Sequence, residues 1–528
     1  MLDETDPPRT ASTRSGSGPA KIASRPTTIL PPRSVALLVT ASLLAGCAVG
    51  PDYRTPLVPT PASWSKAAST TSPKPPRLSQ WWTRLRDPLL NELIEDAVVG
   101  NLDVATAMAK IRQARATYRQ AVGALFPTLT NSESVQRTNE TSSSSSSSTT
   151  SSGGAMAPYT LYQAGFDASW ELDLFGANKR AVEAAGYGVE ASEDSLRSTL
   201  LTLVGDIASN YVQARGYQAR IALARRTAAS QAETAEITRR KFAAGSTSAV
   251  DVANAAGQAA STRATIPTLE TSYAQTVHQL SVLTGRAPAD LNSKLAKATP
   301  IPTPRLPIPV GIPAEVLLSR PDVRLAERQY AQYTAKIGQA EAALYPSVSL
   351  TGSIATAGTK LGDLGKSSSI SWAFGPTLTV PIFNGGQLRA AVDIAEAERD
   401  QYFIAYRSSV LTALKDVEDA IVALAKERSR VRELAASATS YRQATTLSRA
   451  LYQAGTASFL DVLTAERSLY TAEDSRLESQ VLITTDYIAL NKALGGGWNG
   501  MIDASKPEVV DTNTGPHLLP VRDRQPPP

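Results

Sequence analysis

The sequence predicts a mainly α-helical chain with an internal two-fold repeat and four β-strands of the type that face a membrane. Three observations indicate this fold class: a segment of about 110 residues without proline, an earlier copy of that segment, and strands in which apolar and polar residues alternate. Composition agrees, because only 6% of the 528 residues are aromatic. Small side chains suit long helices that pack side by side better than they suit a thick core.

The proline-free segment, residues 385–495, predicts two long antiparallel helices. Apolar residues recur in its first arm at spacings of four and three, which is the seam of a helix packed lengthwise against others. This seam consists of Val410, Leu414, Val417, Ile421 and Leu424. Gly455 ends the first arm, and Ser458 or Asp461 opens the second. The 67 residues from 386 to 452 predict a helix of roughly 100 Å.

A copy of this hairpin lies 210 residues earlier in the sequence. The turn at 241–246 matches the turn at 451–456, and Gly285 matches Gly495. The seam is repeated as well, at Leu200, Val204, Ile207, Tyr211 and Ala214. Agreement of turn, seam and end indicates an internal duplication. We therefore expect two equivalent hairpins, each with a glycine at its tip.

Composition and motifs argue against an enzyme and against nucleic-acid binding. The formal net charge is only +5, which is small for this length and predicts a mixed, solvated surface. The two histidines are His278 and His517, and no phosphate-binding loop or metal-ligand spacing accompanies them. We expect no catalytic residues, no metal, and no cofactor other than a covalent lipid.

The N-terminus predicts a lipoprotein signal peptide over residues 1–46. An apolar run at 35–45 is too short to span a bilayer and leads into Leu44-Ala45-Gly46-Cys47. This tetrapeptide resembles the bacterial lipobox, so Cys47, the sole cysteine, is expected to carry the lipid. The alternatives are a buried cysteine or an ordinary signal peptide. Ala48 in the next position points, by the same resemblance, to the outer membrane.

The remaining sequence divides at changes of composition. Residues 47–80 are rich in proline, serine and threonine and predict a tether. Two repeats cover residues 81–285 and 321–497, joined by a proline-rich linker, 286–320. Each repeat should contain a β-hairpin and a helical hairpin, at 127–175 and 177–285, and at 346–383 and 385–495. Residues 498–528 are expected to be disordered.

Each β-hairpin shows the alternation of a membrane strand. In residues 166–174 the even positions are apolar and the odd positions are polar, most of them acidic. Residues 347–354 and 370–382 also alternate, whereas residues 128–135 contain only two apolar side chains. Membrane β-barrels use this pattern, with the apolar face towards lipid. A soluble sheet is the alternative.

The number of strands favours an assembly of several chains. Four strands cannot close a membrane barrel, because open edges in lipid leave backbone groups without hydrogen bonds. Two chains would supply eight strands, and three would supply twelve with room for a pore. The first β-hairpin also contains a serine run at 142–148, which is expected to be a solvated loop.

Several motifs resemble the TolC-type outer-membrane efflux family, in particular its NodT/OprM-type lipoprotein branch. They follow the family's order and lie at residues 44–53, 170–176, 319–323, 381–386 and 452–463. The resemblance covers nearly all of residues 44–497. It implies a homotrimer in which a twelve-stranded β-barrel in the outer membrane continues as a periplasmic α-barrel of twelve helices.

The resemblance also implies partners and a passive mechanism. The partners are a periplasmic membrane-fusion adaptor, an inner-membrane pump of the RND type, and outer-membrane lipid around the barrel. The tips at Gly245 and Gly455 would dock the adaptor. The assembled channel would let substrates expelled by the pump leave the cell, with a gate at its periplasmic mouth.

The family's gate residues fall on three positions of this sequence. Asp461, present three times in a trimer, matches an acidic ring at the constriction, where like charges favour cations. Asp251 and Tyr452 match a hydrogen-bonded link that holds the mouth shut. Thr464 and Ala457 depart from a second acidic ring and an arginine of some relatives. The alternative is that both aspartates only stabilise helix N-termini, where the dipole favours them.

Two other functions remain compatible with the sequence. A type I protein-secretion exit duct would have the same fold, and a structural periplasmic lipoprotein would have no pore. The lipobox favours efflux over secretion. The alternating strands favour a pore over a purely structural protein.

Overall fold

The structure, a computed structural model, describes most of the chain between residues 48 and 502. The described residues are 48–56, 59–64, 71–72, 78–139, 158–304, 308–310 and 313–502. The predicted signal peptide, Cys47, the serine run at 142–148 and residues 503–528 of the predicted tail lie outside them. Among the described helices, none combines the length and the apolar composition that a membrane crossing requires.

Short elements precede the first sheet strand of each copy. In the first copy they are β1, Thr71–Ser72, a 3₁₀ turn, Trp81–Leu85, and the helices α1, Pro88–Gly100, and α2, Leu102–Gly123. Asn101 caps α2, because its side-chain oxygen accepts backbone N–H groups of the first turn. These elements surround the middle of the next long helix.

The first copy continues with two strands and the first long hairpin. These are β2, Thr128–Thr138, β3, Tyr159–Leu172, α3, Ala177–Ala243, and α4, Ala249–Leu283. Helix α3 has 67 residues and is therefore about 100 Å long, as predicted. Gly176 begins it in the left-handed conformation with φ of 82°. A Cβ at Gly176 would lie 2.6 Å from the Cβ of Ala48, so this position also requires glycine for space.

The linker between the copies contains more structure than its proline content predicted. It holds α5, Asn292–Leu295, β4, Ile308–Pro309, and α6, Pro313–Ser319. Strand β4 pairs in parallel with β1. Gly495 lies against this linker, because a Cβ there would be 2.8 Å from the carbonyl oxygen of Ser319. The linker is thus packed onto the end of the second copy.

The second copy repeats the first. It consists of α7, Pro321–Ala342, β5, Ser347–Gly358, β6, Ile370–Thr379, α8, Gln387–Gln453, and α9, Phe459–Ala493. Helices α8 and α9 have 67 and 35 residues, the same lengths as α3 and α4. The predicted duplication is confirmed at the level of the long elements.

The four long strands form one antiparallel sheet in the order β2-β3-β5-β6. The pairing register places Leu129 opposite Ala168, Phe166 opposite Ile354, and Ile354 opposite Trp372. The apolar positions of all four strands therefore share one face, as the alternation predicted. On this face Trp372 is 77% exposed.

The helices of one chain form a row beside the sheet. Helix α2 packs along α3, α3 along α7, and α7 along α8. In addition, α4 packs along α3, and α9 packs along both α3 and α8. The largest apolar cluster lies where α1, α2, α9 and the middle of α3 meet. There Trp81 contacts Tyr487 edge to face, with ring centroids 5.8 Å apart.

Parts of both segments predicted to lack fixed structure are packed onto the helices. In the predicted tether, residues 47–80, Tyr53 contacts two tyrosines and Trp64 is buried. In the predicted tail, residues 498–528, the guanidinium carbon of Arg197 lies over the ring of Trp498, 5.4 Å from the ring centre. Composition predicted the tether, and the position at the chain end with three final prolines predicted the tail, but single aromatic residues inside both bury enough apolar surface to hold these parts against the helices.

Candidate functional site

The two hairpin tips have the same backbone structure. Gly245 and Gly455 adopt left-handed φ values of 73° and 80°. The N–H of Ser246 donates to the carbonyl of Lys241, and that of Thr456 donates to the carbonyl of Leu451, as in a Schellman motif. The predicted tip glycines therefore end α3 and α8 in the way the sequence indicated.

Asp251 and Asp461 complete equivalent capping boxes. The Asp461 carboxylate accepts the Ser458 hydroxyl at 2.7 Å and the Ser458 N–H at 3.0 Å. Asp251 accepts the same two groups of Ser248, at 2.8 and 3.2 Å, and also the hydroxyl of Thr247. Each serine in return accepts the aspartate N–H. Both aspartates thus hold the first turn of a helix, which was the alternative stated for them.

These hydrogen bonds also fix the charge of the two tips. The side-chain hydrogen bond from Ser458 is the main cause that lowers the pKa of Asp461 below its usual 3.8. The bonds from Ser248 and Thr247 lower the pKa of Asp251. Asp461 is exposed and Asp251 is half-buried, and both are ionised at neutral pH. Capping and a charged mouth are therefore compatible, because each carboxylate keeps its negative charge while it caps.

Tyr452 is buried between the two hairpins. Its hydroxyl donates to the Thr238 hydroxyl at 3.3 Å, and its backbone carbonyl accepts the ammonium of Lys241. The same ammonium lies 4.3 Å from the centre of the Tyr452 ring, a cation–π contact. Phe459 meets the ring edge to face. Tyr452 therefore fastens the tip of the second hairpin to α3 of the first.

Asp251 and Tyr452 are not brought together within the chain. Asp251 bonds to Thr247 and Ser248 of its own turn, whereas Tyr452 bonds to Thr238. The predicted link between the two aligned positions remains a prediction for contacts between chains. Within the described chain, Thr238 and Lys241 are the residues that hold Tyr452.

A second connection between the hairpins lies further from the tip. Glu466 of α9 is 5% exposed and accepts the hydroxyl of Thr234 of α3 at 2.9 Å. Arg449 of α8 donates to the same oxygen at 2.7 to 2.8 Å. One buried carboxylate thus joins α3, α8 and α9. Removing Arg449 would leave that carboxylate buried without its counter-charge, which is costly.

Sequence reasoning missed this connection, although the sequence carries a signal for it. Arg442 and Arg449 are seven residues apart on α8, and Glu466 and Glu473 are seven apart on α9. Arg442 pairs with Glu473, and Arg449 pairs with Glu466. Charges at heptad spacing on both arms of a predicted antiparallel hairpin indicate facing ion pairs.

A small cavity of about 170 Å³ lies beside the Glu466 connection. Gln231, 2% exposed, lines it, and neither polar atom of its side-chain amide has a partner. Thr445 and Arg449 also line the cavity. A cavity that is polar and of this size can hold water. The contact between the hairpins is therefore less apolar here than along the rest of α3.

The first residues after Cys47 are bound in a groove between α3 and α7. Arg180 of α3, 5% exposed, donates to the carbonyls of Val49 and Gly50, each at 3.1 Å, and to Asp52 at 2.8 Å. On the α7 side, a Cβ at Gly338 would lie 2.7 Å from the carbonyl oxygen of Val49. Residues 48–53, named here the N-terminal strap, are therefore a packed part of the protein.

Tyr53 fixes the far end of the strap. Its hydroxyl donates to Glu327 at 2.6 Å, and its ring contacts Tyr187 and Tyr330 edge to face at 5.6 and 5.7 Å. At the near end, the N–H of Val49 donates to the carbonyl of Phe175, just beyond β3. The N-terminal strap therefore begins beside the base of the sheet.

Known proteins share both the sequence pattern and this architecture. A family model described as outer membrane efflux protein matches residues 93–286 and 312–496, which cover the helical hairpins and strands of both copies. The chain belongs to the outer membrane efflux protein family. Within the described residues, no group of three His, Cys, Asp or Glu side chains could hold a metal ion.

Individual relatives match over almost their whole length. Nodulation protein T of Rhizobium leguminosarum bv. trifolii is 36% identical, over 88% of this chain and 97% of that protein. The solvent efflux pump outer membrane protein SrpC of Pseudomonas putida is 33% identical, over 87% and 97%. The cation efflux system protein CusC of Escherichia coli is 31% identical, over 87% and 97%.

Solved structures share the fold. The outer-membrane channel OprN superimposes with a TM-score of 0.79 at 31% identity, over 86% of this chain and all of that one. The MtrE outer membrane channel of Neisseria gonorrhoeae, solved in an open state, gives 0.72 at 30% identity, over 86% and 99%. The present chain is thus an outer-membrane efflux channel protein, as its motifs predicted.

Proposed function

We propose that three copies of this chain form one closed conduit through the outer membrane and into the periplasm, as the exit duct of a tripartite efflux system. The observation that supports this is the four-stranded sheet, whose edge strands β2 and β6 have partners on one side only among the residues that the structure describes. Its apolar face is exposed in a single chain. Lipid can cover the apolar face, but only further strands can satisfy the edges.

Three copies give a barrel of suitable size. Twelve strands leave room for a pore, whereas eight fill the interior with side chains. The opposite face of the sheet carries polar residues such as Asp167, Ser169 and Glu171, which would line a water-filled lumen. The long hairpins would continue the conduit as a ring of helices.

A lipid on Cys47 would anchor each subunit in the same membrane. The N-terminal strap supports this proposal, because Arg180 and Phe175 hold its first residues at the base of the sheet. A lipid attached one residue earlier would enter the bilayer next to the apolar face. Stable anchoring by lipid chains requires more than one chain, which a triacylated cysteine supplies.

The tips would form a gate that opens when the second hairpin moves away from the first. In the structure this hairpin is held by Tyr452 on Thr238 and Lys241 and by Glu466 on Thr234. A buried apolar cluster of Ala255, Tyr452, Phe459, Val462 and Leu463 adds to these polar contacts, so an adaptor that binds the tips would have to part both to open the mouth. Three copies of Asp461 at the mouth would favour cations.

Efflux of small solutes is favoured over protein secretion. The names of two relatives refer to solvent efflux and cation efflux, and both match this chain along its length. We therefore assign an adaptor of the membrane-fusion type and an inner-membrane RND pump as partners. The channel itself is passive, since its residues only bind, exclude and gate.

The direct test is the conductance of the purified, lipidated protein in a planar bilayer. We expect discrete channel currents, together with a mass of three chains in native mass spectrometry. A protein that is monomeric and electrically silent would contradict the proposal. A trimer without conductance would support the proposed assembly of three chains and refute the proposed pore.

A further inference from the structure

A cavity of about 600 Å³ lies where the linker between the copies packs on the first copy. Its wall is formed by residues 85–89 at the start of α1, by Arg215 in the middle of α3, and by linker residues between 294 and 304. In the same part of the linker, the carbonyl of Pro302 accepts the hydroxyl of Thr484 of α9 at 2.6 Å. The cavity is therefore at a junction of both copies, and its volume is that of a small-molecule site.

Arg215 lines this cavity although only 1% of its surface is exposed. Its guanidinium donates to neutral acceptors: the Tyr211 hydroxyl at 3.0 and 3.1 Å, the Gln218 amide oxygen at 2.7 Å and the Lys297 carbonyl at 2.8 Å. Among the residues that the structure describes, no carboxylate pairs with it directly. Tyr211 separates it from Asp87, which accepts the Tyr211 hydroxyl at 2.6 Å. A buried cation without a direct counter-charge is costly, so a bound anion would stabilise it.

Helix packing does not require a charge at this position. The residues 210 positions after Tyr211 and Arg215, on α8, are Ile421 and Ala425. Ile421 is 1% exposed, so the second copy fills the same seam with an aliphatic side chain. Apolar residues at such a position often cost less than a buried charge does. The arginine is therefore a feature of the copy that forms the cavity, and the duplication alone does not explain it.

The lining of the cavity has an excess of positive charge. Among the described residues that line it, four are cationic and only Asp87 is acidic; the cations are Arg86, Arg215, Lys294 and Lys297. Lys294 pairs with Glu92 at 2.7 Å. The side chains of Arg86 and Lys297 have no ion-pair or hydrogen-bond partner within the described part of the chain. Such a lining attracts anions.

Thr299 and several prolines complete the wall. The Thr299 hydroxyl oxygen is buried and has no hydrogen-bond partner in the described residues, although buried polar groups usually have one. It is therefore available to a ligand. Much of the remaining wall is apolar and includes Pro88, Pro300, Pro302 and Pro304, which have no N–H to donate. A few polar groups within a largely apolar wall are typical of sites for small organic ligands.

We propose that this cavity binds a small organic anion with a carboxylate or phosphate head group and an apolar body. The guanidinium of Arg215, the ammonium of Lys297 and the hydroxyl of Thr299 hold the head group, and the prolines contact the body. The bound anion fastens the linker to α3 and, through Pro302, to α9. The residues named here belong to one chain, so the inference does not depend on the proposed trimer or pore.

Isothermal titration calorimetry of the purified full-length protein, in a neutral detergent and physiological salt, tests the site. The probes are phenyl phosphate and phenylacetate, with benzyl alcohol as a neutral analogue and inorganic phosphate as an anion without an apolar body. We expect both aromatic anions to bind, and the tighter one identifies the preferred head group. Inorganic phosphate should bind more weakly. Benzyl alcohol that binds as tightly as the anions would refute a site for anions.

Substitutions locate the binding. Lys297→Ala and Thr299→Val should each weaken the binding of the tighter aromatic anion at least about fivefold, because each removes a hydrogen bond to a charged group. Arg215→Met should abolish binding. Lys426→Ala is the matched control, since it removes an exposed lysine of α8 outside the cavity and should leave the affinity unchanged. An equal loss in Lys426→Ala and Lys297→Ala would show unspecific attraction by net charge and refute the site.

Hydrogen–deuterium exchange gives a second measurement on the unmodified protein. The bound anion should slow amide exchange in residues 298–303, and Lys297→Ala should remove this protection. Binding without protection of this segment would place the anion elsewhere on the protein and contradict the proposal. Failure of both aromatic anions to bind would refute the site in the same way, and would leave the proposed channel untouched.

Discussion

Asp461 carries its charge at the tip of the second hairpin while it caps α9. Asp461→Asn should keep the capping position polar and remove three negative charges from the mouth of a trimer. We expect the preference for K⁺ over Cl⁻ to fall, because the ring of like charges that attracts cations is lost. The reversal potential in a KCl gradient across a planar bilayer measures this preference.

Ser458→Ala is the matched control for this substitution. It removes the other half of the capping box, at a cost of about 1 kcal/mol to the helix, and leaves the carboxylate in place. Its reversal potential should equal that of the unmodified channel. If Asp461→Asn also leaves the reversal potential unchanged, Asp461 serves α9 alone.

Tyr452 holds the second hairpin to α3 through one hydroxyl and one ring. Tyr452→Phe should raise the conductance, because it removes the hydrogen bond to Thr238 and keeps the contact with Phe459. Thr238→Val should have the same effect. The loss of one such bond is worth about 1 kcal/mol, which corresponds to a several-fold change in open probability. Single-channel recording provides the measurement.

Asp251→Ala distinguishes two possible gate contacts. One is the hydrogen bond between Tyr452 and Thr238 within a chain, and the other is the predicted contact of Asp251 between chains. Within the chain, Asp251 bonds to its own turn, so this variant should change the conductance less than Tyr452→Phe does. A larger increase for Asp251→Ala would place the principal lock between chains. Unchanged conductance of Tyr452→Phe would refute the contact with Thr238 as part of the gate.

Asp486 predicts a pH-dependent stability of the protein. Burial, and secondarily the charge of Glu427, raises the pKa of the Asp486 carboxyl from 3.8 to about 6. The folded protein therefore binds this proton more tightly than the unfolded chain does, and the free energy of unfolding falls as the pH rises from about 4 to about 6. Asp486→Asn should raise stability at pH 7.5 by about 1 kcal/mol, since the half-buried site is partly screened.

Thermal unfolding at two pH values checks this expectation. Near pH 3, where both states bind the proton, Asp486→Asn and the unmodified protein should unfold at the same temperature. Asp419, an exposed residue that pairs with Lys415, offers a control substitution that should not stabilise. A variant no more stable than the parent at pH 7.5 would show that the Asp486 carboxylate is solvated.

At the scale of an element, the N-terminal strap depends on one side chain. Arg180→Ala removes the donor that holds the carbonyls of Val49 and Gly50. Hydrogen bonds to charged groups are worth about 1.5–3 kcal/mol, so we expect amide exchange in residues 48–53 to accelerate at least about tenfold. Hydrogen–deuterium exchange with mass spectrometry measures it.

Asp52→Asn is the comparison for the strap. The Asp52 side chain is 81% exposed, so its ion pair with Arg180 should contribute little and exchange should stay close to that of the parent. Equal exchange in Arg180→Ala and the parent would show that Tyr53 and the glycine contacts hold the strap without the arginine.

The long elements could be predicted from the sequence because their signals are local. Gly245 and Gly455 end helices through their own φ values, and a seam spaced four and three residues apart requires no knowledge of its partner. The alternation in the strands likewise predicted the single apolar face that the register confirms. Such patterns act within one turn or one strand, which is why they can be read without coordinates.

Contacts between distant segments could not be predicted in the same way. The strap lies in a stretch with the composition of a tether, and its fixed position comes from Arg180, about 130 residues away. The partner of Tyr452 is Thr238, a threonine with no distinguishing neighbours in the sequence. Secondary-structure propensity depends on a residue and its neighbours in sequence. These contacts depend instead on how α3, α7 and α8 are packed.

At the scale of the whole molecule, the exposed apolar stripe on α8 formed by Ile394, Ile404 and Leu411 predicts a difference between equivalent substitutions. Leu411→Arg should prevent trimer formation and preserve the helical content of the monomer, because Leu411 is 63% exposed in one chain. Its counterpart Leu201 is 6% exposed, so Leu201→Arg should disrupt the folded chain itself. Native mass spectrometry and circular dichroism distinguish the two results. A trimeric Leu411→Arg protein would refute the role of the stripe.

In the proposed ring of three chains, the duplication would give six similar contacts between copies of the repeat, of which only three lie within one chain. The contact between α3 and α7 forms at any dilution, whereas the contact between chains would depend on their concentration by mass action. Confining the subunits to a surface raises their effective concentration. By setting the lipid beside the sheet, the strap would bring unjoined edges to the same depth, so the membrane itself would drive completion of the ring.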